Sequence, residues 1–109
     1  MASSINNKEI KICLWNATSL NGKENELNYF LYSNDIDIAI ITETWLQANT
    51  NIKFNGYNFV RRDSPRVSYG GLAIVIKNSL KYELLPVPPI FVGEFLLINV
   101  IAKRNIVVG

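Results

Sequence analysis

Residues 35–42 are apolar on both faces of an extended chain: Ile36, Ile38 and Ile40 on one, Ala39 and Ile41 on the other. A strand of that kind is covered on both sides. Upstream, residues 10–15 alternate, with Ile10, Ile12 and Leu14 on one face and Lys11, Cys13 and Trp15 on the other, a strand with one strongly apolar face. Between the two, Leu27, Phe30 and Leu31 fall at helical spacing. Asn21-Gly22 makes a turn, Asn21 with Glu24 resembles a capping box, and Asn34 is a stop signal. Strand, short helix and strand in so few residues suggest a crossover, which makes parallel strands possible. Each strand runs straight into a polar residue, Asn16 in the first and Glu43 in the second. A parallel pair sets the two side by side at one edge of the sheet.

Beyond this unit the pattern is strands with short connections. Residues 47–56 turn polar and form a loop. Residues 57–61 read as a strand, residues 63–66 as a loop, and Gly70-Gly71 leads into the apolar strand 72–76. A weaker strand follows at 80–85. Pro86, Pro88 and Pro89 exclude a regular ladder after it. Residues 94–102 form a long strand, Lys103-Arg104-Asn105 a hairpin turn, and 106–108 the start of its partner. Residues 1–9 are expected to be a disordered tail and 10–109 one folded unit. The order indicates an α/β sandwich with mixed sheets. Gly70-Gly71 is not followed by a helical pattern, so it is no dinucleotide-binding loop.

Composition narrows the chemistry. The chain has 109 residues and no histidine, which removes Ser-His-Asp triads, Cys-His pairs and histidine metal ligands within it. Cys13 is the single cysteine, so no internal disulfide and no cysteine zinc cluster can form. The longest unbroken apolar stretch, 72–76, is far short of the ~20 residues of a membrane helix. No apolar signal core opens the chain, so an intracellular location is expected, with no membrane partner. Residues 1–60 hold four Lys/Arg against six Asp/Glu, and residues 61–109 hold seven against three. Arg61, Arg62 and Arg66 lie close together in the basic part and could meet nucleic-acid phosphate. On charge alone a solvated basic loop, or an Arg62–Asp63 pair, is the simpler explanation of each.

Glu43 at a strand end suits a magnesium ion, which takes one or two protein carboxylates and keeps waters and substrate phosphate in its other positions. An exposed glutamate capping a loop is the alternative. Asn16 could donate its amide to a phosphate oxygen. Alone, it reads better as a strand-end asparagine turning onto Thr18 and Ser19, and beside Glu43 the functional reading gains. Trp15 and Trp45 flank these positions as core residues.

Taken together, these segments resemble a known family. Residues 11–20, Lys-Ile-Cys-Leu-Trp-Asn-Ala-Thr-Ser-Leu, resemble the opening of the endonuclease/exonuclease/phosphatase family, and residues 37–46 resemble its second motif. Gly56-Tyr57, Arg61-Arg62-Asp63 and the Gly70-Gly71 strand make the chain similar to the apurinic-type endonuclease domain of non-LTR retrotransposons. The resemblance implies a four-layer α/β sandwich, here truncated to about its first half. It implies Mg²⁺-dependent (or Mn²⁺-dependent) hydrolysis of a DNA phosphodiester, nicking a target site to prime reverse transcription. Asn16 would orient the phosphate, Glu43 would bind the metal, and Thr18, Arg61, Arg62 and Arg66 would join Asn16 in contacting DNA. Partners would be DNA and, in the parent protein, a C-terminal reverse transcriptase, in cytoplasm and nucleus. Thr18 stands where many repair members have aspartate. The family's later tyrosine, Asp-x-Asn and Asp-His motifs have no counterpart, so the piece alone is expected to be inactive. Half a sandwich would also leave an apolar sheet face uncovered and favour association. Two alternatives remain: a phosphoesterase of this fold acting on inositol phosphate or phospholipid, and a non-catalytic remnant with weak DNA binding.

Overall fold

The computed structural model describes residues 5–6, 9–65, 69–86, 94, 96–101 and 105–106. Arg66, Pro88, Pro89 and the Lys103-Arg104 turn lie outside the described residues.

The crossover forms as the spacing requires. Strand β2 (Ile12–Asn16) is followed by helix α1 (Glu24–Ser33) and strand β3 (Ile38–Thr42). β2 and β3 pair in parallel, with Asn16 opposite Thr42. Strand β4 (Tyr57–Arg62) precedes β5 (Leu72–Lys77), and β5 pairs antiparallel with both β3 and β4, giving the order β2-β3-β5-β4. Strands β6 (Lys81–Leu85) and β7 (Leu97–Ile101) form an antiparallel hairpin. Strand β8 (Asn105–Ile106) pairs antiparallel with β1 (Ile5–Asn6), so 105–106 meets the N-terminal stretch and not β7, which the hairpin expectation had made its partner. Helix, four-stranded sheet and hairpin make three of the four layers expected.

Two cores flank the main sheet. On the helix side, Leu27 and Leu31 pack with Ala39, Ile41, Ala73 and Val75, with Cys13 and Trp15 against them. On the hairpin side, Ile38, Ile74 and Ile76 meet Leu80, Tyr82, Ile98 and Val100. The residues of β2 divide the other way from their apolarity. Cys13 and Trp15 face the helix core, while Ile12 and Leu14 are 59% and 73% exposed. Alternation shows that two faces differ, but not which of them the helix takes.

The helix start also departs from the capping-box expectation. Lys23 occupies the cap position without a side-chain cap bond. Half of the box survives one residue displaced, because Glu24 Oε1 accepts the Gly22 N–H at 2.7 Å. Asn21 instead donates Nδ2 to the Trp45 carbonyl at 3.4 Å. Asn34 ends the helix, its N–H and its Nδ2 both donating to the Phe30 carbonyl.

Buried polar groups lock the far end of the sheet. Asp37 Oδ2 accepts the Lys11 N–H at 2.8 Å, and its Oδ1 lies 3.6 Å from Lys77 Nζ, which also bonds Asp35. The Tyr57 hydroxyl donates to the Ile36 carbonyl at 2.7 Å. Here the Asp35 hydrogen bond raises the Lys77 pKa above its ordinary 10.5. Burial raises Tyr57 above 10.0 and Cys13 above 9.0. All three hold protons more tightly folded than unfolded, so the native state binds more protons on the alkaline side and stability falls as pH rises. The urea midpoint is expected to hold constant to about pH 8 and to drop steadily toward about pH 11. An unchanged midpoint across that window would contradict these three environments.

Candidate functional site

The ends of β2, β3 and β5 are stitched together past the last ladder rungs. Ala17 N–H donates to Thr42 O, Ser19 N–H to Glu43 O and Leu20 N–H to Thr44 O, all at 2.8–2.9 Å. Across β3, Trp45 N–H donates to Gly70 O at 2.9 Å and Thr44 N–H to Gly71 O at 3.3 Å. Asn16 and Glu43 therefore sit on neighbouring strand exits, one residue apart in register. Adjacent strands run about 4.8 Å apart, so the two residues share one corner of the sheet.

Backbone strain concentrates there. Thr18, Ser19, Glu43 and Trp45 all have positive φ, leaving only Asp35 elsewhere among the described non-glycine residues. Such conformations cost about 1–3 kcal/mol each and gather where a loop is built for a task other than stability. The corner also holds two buried donors without an acceptor among the described residues, Thr44 Oγ1 and Trp45 Nε1.

Each candidate side chain has a definite place. Glu43 is half-buried. Its Oε2 accepts the Gly70 N–H at 2.6 Å, and its Oε1 has no hydrogen-bond partner among the described residues. Asn16 is exposed, and its Oδ1 accepts from Thr18 N–H at 3.2 Å and Thr18 Oγ1 at 3.1 Å. That is the local turn the sequence allowed, and it fixes the Asn16 carboxamide with Nδ2 unpartnered among the described residues. Thr18 thus acts on Asn16 directly. The structure gives Arg61 a different duty from the phosphate contact expected of it. Its guanidinium is spent on Asp63 at 2.9–3.0 Å, on the Thr50 carbonyl at 2.6 Å and on the Gln47 carbonyl at 2.8 Å. Arg61 clamps the 47–56 loop, because a fork that meets two carbonyls and a carboxylate has few donors left for DNA. Arg62 is exposed.

Two residues matter here that the sequence pattern did not single out. Lys23 Nζ donates to the carbonyls of Ala17 at 2.6 Å and Thr18 at 3.3 Å, and lies over the Trp15 ring. It holds the loop that carries Asn16. Glu94 accepts the Gly71 N–H with Oε1 at 3.1 Å and Oε2 at 3.0 Å.

The corner thus offers a carboxylate oxygen and an amide N–H₂ without hydrogen-bond partners among the described residues. Among the described residues, no group of three or more His, Cys, Asp or Glu could cage a metal. The set does fit an ion held by a single carboxylate with water in its other positions, which is how magnesium is usually bound.

No family model matches the chain. It is 38% identical over 86 residues to the RNA-directed DNA polymerase from mobile element jockey of Drosophila melanogaster, a match covering 78% of this chain and 9% of that protein. It is 28% identical over 76 residues to the probable RNA-directed DNA polymerase from transposon BS of the same fly, covering 67% and 8%. The chain spans under a tenth of the length of these relatives. Among solved structures it superposes on an AP endonuclease from Leishmania major with TM-score 0.61 and 25% identity, covering 72% of this chain and 30% of that one. It also superposes on a 3′ phosphatase from Neisseria bound to product DNA hairpin, with TM-score 0.55 and 26% identity, covering 70% and 32%. The chain has the fold of the endonuclease/exonuclease/phosphatase family, and its sequence relatives are RNA-directed DNA polymerases of mobile elements.

Proposed function

We propose that this chain carries the metal-and-phosphate corner of a DNA endonuclease that nicks a target site for reverse transcription. The observation that carries the reading is the shared corner of Asn16 and Glu43, on strained exits of two parallel strands. Glu43 Oε1 would hold Mg²⁺, with Mn²⁺ as a substitute. When bound, the cation would neutralise charge on the phosphoryl oxygens. Asn16, with Oδ1 tied to Thr18, would donate Nδ2 to a non-bridging phosphate oxygen. Arg62 would contact the DNA backbone from the end of β4. The names of the sequence relatives support a parent that joins this nuclease to a reverse transcriptase, acting on DNA inside the cell.

The 109-residue chain holds no histidine, and its corner has one carboxylate and one amide for chemistry. Catalytic groups of this kind act as a unit, and a partial set loses most of its rate. The chain by itself is therefore expected to bind DNA more tightly with magnesium than without, and to leave supercoiled plasmid intact. Glu43→Gln should abolish the magnesium-dependent part of binding while leaving the salt-sensitive part. Binding that ignores both magnesium and Glu43→Gln would instead favour a non-catalytic, phosphate-binding remnant.

A further inference from the structure

We infer that Glu94 is a positioning residue for Glu43, acting through the Gly70–Gly71 entry to β5; the inference deepens the metal-corner reading and rests on it. Consecutive amides of one dipeptide are gripped by two carboxylates from distant parts of the chain: Gly70 N–H by Glu43 Oε2 at 2.6 Å, and Gly71 N–H by both oxygens of Glu94. Gly70 and Gly71 have φ of +81° and +95°, a stretch of backbone that needs outside contacts to hold one shape. Those contacts are unusually close. A Cβ on Gly70 would lie 2.7 Å from the Ser64 side chain and 3.1 Å from Glu94 Oε1, and one on Gly71 would run into Thr44 Oγ1. Glu94 thus fills the space beside Gly70 as well as accepting from Gly71.

The consequence for Glu43 follows from hydrogen-bond geometry. The Glu43 carboxylate is held in this orientation by the N–H that Oε2 accepts, which leaves Oε1 for another ligand, and that N–H belongs to the peptide unit immediately before the one Glu94 holds. Charge-assisted hydrogen bonds to backbone N–H are about twice as strong as neutral ones, so two of them on one dipeptide make a stiff mount. Glu94 uses both oxygens on one amide. That arrangement suits a clamp, whereas a metal ligand presents its oxygens to the ion. Partners that orient a metal-binding group in this way typically change metal affinity by about 10–100-fold when removed.

The test uses the 109-residue chain with two readouts. Selective ¹⁵N-glycine labelling gives six amide signals, one for each glycine. The Gly70 and Gly71 protons are expected far downfield. Mn²⁺ binding is read from the loss of the free-ion paramagnetic resonance. Glu94→Ala should move both glycine signals upfield and weaken Mn²⁺ by roughly tenfold. Glu94→Gln keeps an acceptor oxygen without the charge, and should restore the Gly70 position and most of the affinity. Glu43→Gln should abolish Mn²⁺ binding while leaving the Gly71 signal in place. The inference is overturned if Glu94→Ala leaves the Gly70 signal where it was, or if Glu94→Gln costs as much Mn²⁺ affinity as Glu43→Gln, which would make Glu94 a ligand. If the unaltered chain binds no Mn²⁺, the metal reading fails, and the Gly70 shift in Glu94→Gln against Glu94→Ala still decides the clamp. If Glu94→Ala does not fold, Glu94→Gln alone decides: a Gly70 signal displaced in that variant contradicts the clamp.

Discussion

Gly71→Ala is expected to be among the most damaging single-methyl changes the chain can carry. The new Cβ meets the Thr44 hydroxyl, which is itself fully buried, and it forces an L side chain into φ +95°. Strain and overpacking each cost about 1–3 kcal/mol, so a loss of roughly 3 kcal/mol or more is expected. A domain of this size holds about 5–15 kcal/mol in all, and the melting temperature should fall on the order of 15 °C. The clash has a named partner, so the loss should be partly reversible. Thr44→Ala removes Oγ1 and, combined with Gly71→Ala, should recover the packing share while the backbone strain remains. Chemical denaturation of the two single variants and the double variant forms a thermodynamic cycle. A Gly71→Ala variant as stable as the original chain would mean that β5 does not enter the sheet this way.

The second large effect concerns association. β2 lies at the edge of the main sheet with Ile12 and Leu14 exposed on one face, and Ile40 beside them on β3 is 37% exposed. On the other face, a cavity of about 390 Å³ between β2 and α1 is lined by Cys13, Trp15, Leu27 and Phe30. The hairpin β6–β7 covers the β3–β5 part of the sheet and leaves the β2 part open. Burying one leucine or isoleucine contributes about 1.5–3 kcal/mol, and an unpaired strand edge adds backbone hydrogen bonds, so two copies gain by meeting here. Sedimentation is expected to show species heavier than the monomer. Leu14→Lys, which places an ammonium on the most exposed apolar site of β2, should return the chain to monomer without lowering its melting temperature. A monodisperse monomer before any substitution would show that this face tolerates water.

How far the sequence could be read depended on the range of the contact. The β2–α1–β3 unit was legible because helical spacing at Leu27, Phe30 and Leu31 between two apolar strands leaves little choice but a crossover. Once the strands are parallel, Asn16 and Glu43 must exit at the same end. Arg61 misled because its neighbours in sequence, Arg62 and Asp63, suggested a basic loop. Beyond Asp63, its partners are carbonyls of Thr50 and Gln47, and a carbonyl carries no residue-type signal. Lys23 escaped notice for the same reason, since it grips the carbonyls of Ala17 and Thr18. Glu94 lies 23 residues from the amide it holds, beyond a proline-rich stretch without periodicity. The one clue was chemical: an isolated acid just before an apolar strand.

The order β2-β3-β5-β4 has a consequence for synthesis on the ribosome. β4 emerges before β5, yet β5 is its neighbour in the sheet, and β5 must slot between β4 and β3. Until residues 72–77 leave the exit tunnel, β4 has no partner and the inner edge of β3 stays open. The corner that holds Glu43 can close no earlier, because the amide it needs arrives with the same segment. A pause in translation before that point would expose two unpaired strand edges at once, and a cell would meet it with a chaperone.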